Sequence, residues 1–390
     1  MRSSDALRIA LFTYGVQPRG GVRHALALGE ALHAAGHAVV LHALDDAGRG
    51  FGQTPRCPSV LVPLEARSET ILPFVQRRIA AYVDAVSGGP AFDIYHAHDG
   101  ISGNALATLV ERGAIARFVR TVHHLDDFGP GELAALQDRS VRCADDVFTV
   151  SRVWAERVAR TYGRAAVVVR NGVDRERFSP VGLAGRQRLR AALGHGAGPL
   201  FVTIGGIEAR KNTLATLEAF ARVHAVLPGA RLVIAGGASI FNHSEYRRAF
   251  DARAAELGLA DGTALAVQGV VSDDDVVTLL RAAHALVFPS LVEGFGLVVL
   301  EALACGTPVV TSASAPFTEY LGAGDALLVD PRDPAAIAAA MRHVLDPLVA
   351  ARLRRRGPEL ARAFDWAASA RAHVVAYRGC RSREREAVRA

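Results

Sequence analysis

Short runs of apolar residues alternate along the chain with stretches in which apolar residues recur at helical spacing. The first apolar run, residues 8–13, is typical of a buried strand, and a glycine-containing loop follows it. The next stretch is predicted to be a helix, because its apolar residues recur every three or four positions, at Val22, Ala25, Leu28 and Leu32. Gly36 is placed to end this helix, and a second strand is predicted over residues 39–43.

The same alternation continues to the end of the chain. Further strands are predicted at residues 92–96, 118–122, 147–150, 200–204, 231–235, 264–268, 286–288 and 308–311. The clearest helices of the second half are predicted at residues 214–226 and 297–304. Strands that alternate with helices in this way indicate parallel sheets with helices on both faces.

The sequence therefore predicts an α/β protein with two doubly wound, Rossmann-like parallel-sheet domains that face a central cleft. A turn-rich segment, residues 171–180, separates an N-terminal domain, residues 1–175, from a C-terminal domain, residues 176–365. In such sheets ligands bind beyond the carboxyl ends of the strands, so the loops at those ends are the expected places for a site.

Composition and charge narrow the class of protein. The 390 residues are 50% hydrophobic and 22% charged, which is typical of a globular protein. The net charge is +6, but residues 351–390 hold 11 arginines against four acidic residues, so the rest of the chain is close to neutral. The excess therefore indicates no nucleic-acid partner; it fits a solvated helix end or, alternatively, a contact with a phosphate-bearing partner or anionic lipid.

Cysteine usage and the amino terminus indicate a reduced, cytoplasmic protein. The four cysteines lie far apart without a C-x-x-C pair, so neither a zinc site nor a disulfide framework is predicted. The start of the chain lacks the pattern of a signal peptide, and no apolar stretch of 18 residues occurs.

The loop after the first strand carries Gly20 and Gly21 directly before the helix. Such glycines let a ligand approach the backbone amides at a helix start, although a plain tight turn would also explain them. The loop does not match the dinucleotide pattern G-x-G-x-x-G, and no acidic residue is expected at the end of the second strand, which disfavours a nicotinamide cofactor. The Walker pattern of nucleotide triphosphatases is also absent.

The loop after strand 200–204 ends in Arg210 and Lys211, just before a helix. A guanidinium and an ammonium at this place could hold a diphosphate. Lys211 is the one lysine among 45 basic residues, which indicates a position that needs a compact point charge, unless one stray lysine falls there by chance.

Glu293 and Glu301 are eight residues apart around the glycine-rich segment after strand 286–288. Two carboxylates facing one cleft suit the recognition of vicinal hydroxyls, and the backbone amides of Gly294, Phe295, Gly296 and Leu297 would point at phosphate or sugar oxygens. A capping glutamate followed by a solvated helix glutamate is the alternative interpretation.

Taken together, these residues resemble the retaining glycosyltransferases of family 4, also called glycosyl transferases group 1, which have the GT-B fold. The resemblance covers essentially the whole chain. It rests on the Gly20-Gly21 pair, His123 after a strand, Lys211, the E-x7-E pair Glu293 and Glu301, and the later Gly306-x-Pro308 segment.

The resemblance implies a role for each of these residues. Lys211 would bind the donor diphosphate, Glu301 the ribose and Glu293 the donor sugar hydroxyls, and Val271 would contact the nucleobase through its backbone. His123 would face the reacting sugar, and a C-terminal helix, about residues 366–390, would complete the N-terminal domain. Family members often carry an arginine where this chain has Gly206, and Arg210 is expected to replace it.

The predicted reaction is transfer of a sugar from a UDP- or GDP-sugar to an acceptor hydroxyl with retention of configuration, through front-face attack and without a metal or other cofactor. A GT-B sugar-nucleotide epimerase or phosphorylase and a non-catalytic nucleotide-sugar-binding protein are the alternatives. A lipid acceptor would imply peripheral contact with a membrane.

Three features stay open to other interpretations. The acidic run at residues 273–275 contains the D-x-D pattern of metal-binding transferases, but it is typical of a capped helix start. His123 is expected to face the cleft, and His124 is expected to be packed or to support the site from behind. His96 and His98 would share one face of their strand, either as a metal pair or, as we expect, as part of a cleft wall.

Overall fold

The computed structural model describes residues 6–67, 69–196, 198–237, 244–259 and 262–389, with side chains as far as residue 379. Four of the 11 arginines in residues 351–390 therefore lie outside the described side chains. The chain divides into two units, Met1–Gly172 with Trp366–Ala390, and Val173–Asp365.

The first unit is built on a parallel seven-stranded sheet, in the order β3-β2-β1-β4-β5-β6-β7. Its strands are β1 (Arg8–Thr13), β2 (Ala38–Asp45), β3 (Ser59–Pro63), β4 (Ile94–Ala97), β5 (Val119–Val122), β6 (Asp146–Thr149) and β7 (Ala166–Val168). Its helices are α1 (Gly20–Ala34), α2 (Ile71–Val86), α3 (Gly100–Glu111), α4 (Glu132–Arg142) and α5 (Arg152–Tyr162), together with a helix from the end of the chain, Trp366–Arg389.

The second unit contains a parallel six-stranded sheet, in the order β10-β9-β8-β11-β12-β13. Its strands are β8 (Leu200–Ile204), β9 (Arg231–Ala235), β10 (Leu265–Gly269), β11 (Ala285–Phe288), β12 (Val309–Ser312) and β13 (Leu327–Val329). Its helices are α6 (Leu183–Ala192), α7 (Thr213–Val226), α8 (Ser244–Glu256), α9 (Asp273–Ala282), α10 (Leu297–Ala304), α11 (Pro334–His343) and α12 (Pro347–Ala361); the helix Trp366–Arg389 is then α13.

Strand β1 shows why a continuous apolar run forms the centre of such a sheet. Its alternate residues point to opposite faces, so Ile9 and Leu11 join the core formed with α1 and α13. Ala10 and Phe12 join a second core on the other face, which includes α2 and α3 residues. Both faces are covered by helices, and the predicted α/β class with two doubly wound parallel sheets is confirmed.

Helix α13 packs against α1 of the first unit. Tyr377 of this helix is fully buried, and its hydroxyl is 2.7 Å from Nδ1 of His96 on β4. The last helix thus supplies both apolar contacts and a buried polar partner to the first sheet.

Strand β2 is longer than its apolar run indicated, and the expectation that no acidic residue ends it is wrong. The strand extends to Asp45, whose carboxylate accepts hydrogen bonds from the amides of Ala47, Arg49 and Gly50 in the following loop. These backbone hydrogen bonds lower the pKa of Asp45, although its burial opposes them. The carboxylate is therefore used to shape a turn.

Within the described residues, no helix combines the length and the apolarity needed to cross a bilayer.

Candidate functional site

Each sheet reverses its strand order once, between β1 and β4 in the first unit and between β8 and β11 in the second. Loops that leave such adjacent strands in opposite directions form a crevice at the carboxyl edge of the sheet. The side chains that follow these four strands include most of the predicted site residues.

Lys211 and Glu293 meet at the reversal point of the second sheet. Lys211 ends a 3-10 turn, Ala209–Lys211, between β8 and α7, and its Nζ donates a hydrogen bond to Oε2 of Glu293 after β11. The ammonium also lies 4.4 Å from the ring centroid of Phe288, which ends β11. The structure thus joins two predicted residues that are 82 positions apart.

Arg210 extends this cluster. Its Nε is 3.0 Å from a carboxylate oxygen of Glu208, which is 2% exposed, and its Nη1 is 3.8 Å from Oε2 of Glu293. Glu208 is a residue that the sequence analysis missed. Its position between a glycine pair and Arg210 gave no signal beyond being an acidic residue in a predicted loop.

The cluster holds two cations and two carboxylates, so its formal charge is zero. Burial lowers the pKa of Lys211, while the neighbouring Glu293 carboxylate raises it and favours the charged ammonium. A buried lysine of this kind stays cationic only while an anion is beside it.

The structure gives a steric reason for glycine at position 206. A Cβ at Gly206 would lie 2.4 Å from the carbonyl oxygen of Gly237, in the loop after β9. A side chain here would require the two loops to separate. Arg210 instead approaches the Lys211–Glu293 pair from the other end of the same loop.

The segment Gly294 to Leu297 turns directly into α10. Gly296 is the N-cap in a left-handed conformation, φ 89°, and a Cβ there would lie 2.6 Å from the ring of Phe317. The Phe295 ring is buried and stacks on Tyr320, whose hydroxyl donates to the Phe295 carbonyl. The first amides of an α-helix have no acceptor within the helix, so this fixed turn presents donors at the edge of the sheet.

The remaining predicted donor-side residues lie on neighbouring elements. Glu301 is in the second turn of α10 and is 8% exposed. Val271 lies between β10 and α9 and is half-buried. The acidic run after it is a helix start as predicted: Ser272 caps α9 in a reciprocal pair with Asp275, and Asp274 pairs with Arg177 at 2.7 Å.

Three histidines meet at the reversal point of the first sheet. His24 lies in the second turn of α1, His98 follows β4 and His123 follows β5. The ring centroids of His24 and His123 are 4.8 Å apart, and those of His24 and His98 are 5.2 Å apart. The sequence gave no role to His24, although a histidine inside the apolar face of α1 was the available signal.

Gly21 is required by this histidine cluster. A Cβ at Gly21 would lie 3.2 Å from Cδ2 of His123, whereas a Cβ at Gly20 would meet nothing within 4 Å. The two glycines, which had one predicted role, therefore differ: Gly21 lets the His123 ring pack against the start of α1, and Gly20 leaves the helix start open.

His96 and His98 share a face, as expected, with ring centroids 4.2 Å apart. Both ring nitrogens of His96 are hydrogen-bonded, to Tyr377 and to Thr121, each at 2.7 Å, so His96 is a buried structural residue. His124 is not packed, because its side chain is 39% exposed and its Nε2 lies 3.5 Å from a carboxylate oxygen of Asp126. The alternative, that it supports the site from behind, stays a prediction.

The buried histidines of this unit are neutral. Burial lowers the pKa of His24 to about 3, with His373 contributing to the shift. Burial also lowers the pKa of His123 and of His98 well below the usual value, and neighbouring histidines add to both shifts. Neutral imidazoles can accept as well as donate hydrogen bonds.

Two family models cover most of the chain. Residues 18–177 match the model described as Glycosyltransferase Family 4, and residues 185–359 match the model described as Glycosyl transferases group 1. The chain belongs to glycosyltransferase family 4. It is therefore a glycosyltransferase, and its two Rossmann-like units are those of the GT-B fold.

Curated relatives of this glycosyltransferase have more than one name. A D-inositol 3-phosphate glycosyltransferase of Acidothermus cellulolyticus is 32% identical, in a match that covers 83% of this chain and 76% of the relative. A glycogen synthase of Mycobacterium tuberculosis is 29% identical, over 75% of this chain and 70% of the relative.

Solved structures show the same fold. The sucrose-phosphate synthase of Thermosynechococcus elongatus superposes with a TM-score of 0.78 at 24% identity, over 96% of this glycosyltransferase and 99% of that chain. Anabaena HepE, solved in complex with UDP-glucose, has a TM-score of 0.78 at 18% identity, over 95% of this chain and 98% of the other.

Proposed function

We propose that the enzyme transfers a sugar from a nucleotide diphosphate sugar to an acceptor hydroxyl, with retention of the anomeric configuration. The observation that carries the proposal is the meeting of Lys211, Arg210 and Glu293 at the reversal point of the second sheet. Adjacent ammonium and guanidinium groups suit a diphosphate, and a carboxylate beside them suits the sugar that the diphosphate carries.

Donor binding would exchange one anion for another. In the structure Glu293 neutralises Lys211. A diphosphate placed against Lys211 and Arg210 would take over that role, and the Glu293 carboxylate would then be free to accept hydrogen bonds from sugar hydroxyls. Because the buried ammonium keeps an anionic partner throughout, the exchange avoids an unpaired buried charge.

The other predicted contacts complete the donor site. Glu301 would accept from the ribose hydroxyls, the backbone of Val271 would meet the nucleobase, and the amides from Gly294 to Leu297 would donate to phosphate or sugar oxygens. His123 would contact the reacting sugar. Gly20, at the open start of α1, would leave room for the ligand.

The proposed chemistry is front-face attack. The glycosidic bond to the diphosphate breaks, the acceptor oxygen forms the new bond on the same face, and the departing phosphate oxygen takes the acceptor's proton. Lys211 and Arg210 would stabilise the charge that develops on the leaving diphosphate, which is the task a metal ion has in other transferases. We therefore propose that transfer needs no metal.

The names of similar proteins suggest which substrates to test first. HepE was solved with UDP-glucose, and several relatives are named D-inositol 3-phosphate glycosyltransferases. UDP-, GDP- and ADP-sugars would be screened for slow donor hydrolysis in EDTA. Active donors would then be paired with an acceptor panel that includes inositol phosphate, and the anomeric configuration of product would be read by NMR.

Donor turnover that depends on Lys211 and Glu301 and gives a retained product supports the proposal. An inverted product, or full activity of Lys211→Ala, would contradict it. Conversion of the donor without an acceptor to an epimer, or a strict need for inorganic phosphate, would instead indicate an epimerase or a phosphorylase. Binding of donors with no turnover would indicate a non-catalytic protein.

A further inference from the structure

The three histidines of the first unit, His24, His98 and His123, form a cluster whose nitrogens converge. Each residue offers a ring nitrogen, and these three atoms lie within 4.8 Å of one another. The residues come from three separate elements, the start of α1 and the loops after β4 and β5. Among the described residues this is the group of histidine, cysteine and carboxylate side chains with the spacing of a metal site.

Each of the three histidines has a buried ring nitrogen that lacks a hydrogen-bond partner within the described chain. This holds for Nε2 of His24, Nε2 of His123 and both ring nitrogens of His98. A buried polar atom without a hydrogen-bond partner destabilises the folded state. Three such histidines side by side would destabilise the core without a ligand. The arrangement therefore favours a ligand that accepts a lone pair from each of the three rings.

We propose that His24, His98 and His123 bind a transition-metal dication of the Zn²⁺ type. The donor set consists of imidazoles alone, without a carboxylate, which favours Zn²⁺, Cu²⁺, Ni²⁺ or Co²⁺ over Mg²⁺, Ca²⁺ or Mn²⁺. Three protein ligands leave a fourth tetrahedral position for a water molecule or a substrate oxygen.

The surroundings of His24 fit this role. Its Nδ1 donates a hydrogen bond to Oδ1 of Asn171 at 2.7 Å, and Asn171 is itself buried. This bond places the proton on Nδ1 and leaves the lone pair on Nε2, which has no hydrogen-bond partner among the described residues. Metal-binding histidines commonly have their second nitrogen fixed by such a partner.

Binding requires only a small closure of the cluster. Zn–N bonds of about 2.05 Å in a tetrahedral site place ligand nitrogens about 3.3 Å apart, compared with an upper separation of 4.8 Å in the structure. Rotations of the imidazole rings supply this change. The His123 ring packs against the α1 start because position 21 is glycine.

A metal at this position would inhibit sugar transfer. His123 would give its Nε2 to the metal, and the same ring could not then contact the reacting sugar. This consequence rests on the proposed function, whereas metal binding itself does not. The enzyme would thus be independent of metal for activity and sensitive to Zn²⁺.

The binding test uses the full, untagged chain after treatment with EDTA and removal of the chelator. Titration with Zn²⁺, followed by calorimetry and by metal analysis after gel filtration, should give one tightly bound ion per chain. X-ray absorption of the Zn²⁺-loaded wild-type protein should show three imidazole ligands at about 2.0 Å. This measurement needs no variant and would overturn the site if it found fewer than three imidazoles.

Two variants in the same helix sharpen the test. His24→Gln should weaken Zn²⁺ binding at least tenfold, whereas His33→Gln, at an exposed position of α1, should not change it. Equal loss in both variants, or no loss in His24→Gln, would contradict the proposal. If His24→Gln does not fold, as judged by circular dichroism, the absorption spectrum of the wild-type protein decides.

The inhibition test measures transfer at increasing free Zn²⁺. Activity should fall with the same midpoint as Zn²⁺ binding and return with EDTA. Binding without inhibition would overturn the inhibitory consequence and leave the site. If no donor supports transfer, the proposed function fails while the titration and the absorption spectrum still test the site.

Discussion

The two sheets reverse at the same topological place but carry different chemistry there. In the first unit the reversal point holds neutral histidines, of which His24 and His98 are buried and His123 is half-buried. In the second unit it holds two cations paired with two carboxylates. Parallel-sheet topology therefore gives both units the same place for a candidate site, and the side chains there give the two places different charges.

The two clusters also differ in how they avoid the free-energy penalty of burying an ionisable side chain. His98 and His123 of the first unit lose their charge, because burial lowers their pKa values below the usual range. Lys211 keeps its charge through Glu293, which opposes the effect of burial. The neutral histidine cluster is therefore sensitive to acid, and the Lys211–Glu293 pair is sensitive to removal of one partner.

Acid should separate the two units most strongly. Burial lowers the pKa of seven histidines in the first unit and of two in the second, among the described residues. For His42 and His373 the change is from 6.5 to about 4. The pKa of each such histidine is lower in the folded state than in the unfolded state, so its contribution to the free energy of unfolding is fully present above pH 6.5. This contribution is lost as the pH falls toward 4, by roughly 1–3 kcal/mol for each such histidine.

The two tryptophans, Trp154 and Trp366, both belong to the first unit. In EDTA, their fluorescence should therefore report unfolding at a higher pH than hydrogen exchange reports for peptides of the second unit. If both units unfolded at the same pH, or if the second unit unfolded at a higher pH than the first, the comparison would be contradicted.

Lys211→Ala should have the largest effect on catalysis. Loss of a preorganised cation beside the leaving group is expected to lower kcat about 100–1000-fold. Lys211→Arg keeps the charge but replaces a compact ammonium with a planar fork, so it should restore only part of the rate. Arg253→Ala, at a partly exposed ion pair of the same unit, is the control, and its kcat should stay within about twofold of the wild-type value. Full recovery of kcat in Lys211→Arg would contradict the need for a compact ammonium and show that only the charge matters.

Gly21→Ala tests the packing of the histidine cluster. The added methyl group would lie 3.2 Å from Cδ2 of His123 and should displace the ring. We expect kcat to fall about tenfold, since a small misplacement of a site residue is costly, and Zn²⁺ affinity to fall with it. In Gly20→Ala the methyl group meets nothing within 4 Å, so the Zn²⁺ affinity of this variant should equal that of the wild type. Equal Zn²⁺ affinities in the wild type, Gly21→Ala and Gly20→Ala would refute the packing role of Gly21.

Glu208→Gln should have a smaller effect. The substitution leaves the shape of the side chain but removes the charge that lies 3.0 Å from Arg210. Arg210 should then hold its place less firmly, and the KM for the donor should rise about three- to tenfold with little change in kcat. Asp251→Asn, in an exposed pair with Arg247, provides the matched control; a shift in kcat alone would argue against this positioning role.

Asp275→Asn should change only stability. Asp275 forms the reciprocal cap of α9 with Ser272, and loss of its charge should cost about 0.5–1 kcal/mol in thermal unfolding. Activity should stay within about twofold and should not respond to EDTA. Loss of activity that Mn²⁺ restores would instead identify the acidic run as a metal site.

The central strands could be predicted from the sequence because they are buried on both faces. Strands β8 and β9 and helix α10 have the predicted bounds, and each begins or ends at a clear change from apolar to turn-forming residues. Three edge strands, β3, β7 and β13, escaped prediction. Four of the five residues of β3 are exposed, so its sequence carries no buried run.

The site was predicted where a charge stands beside a strand end, as at Lys211 and Glu293. The parts that could not be predicted depend on contacts between distant positions. His24 meets Asn171 across 147 residues, and no local pattern announces that pairing. The different roles of Gly20 and Gly21 could not be predicted either. Both are glycines at the start of one helix, and they differ only because the His123 ring lies beside Gly21 in the folded chain.

Helix α13 has a consequence for the order in which the protein can mature on the ribosome. The first unit includes Trp366–Ala390, whereas the second is formed by the continuous stretch Val173–Asp365. Domains usually fold in the order of synthesis, but here the second unit is fully translated before the first has all its parts. Until Tyr377 emerges, Nδ1 of His96 lacks its buried hydrogen-bond partner, so the N-terminal unit reaches its final form last.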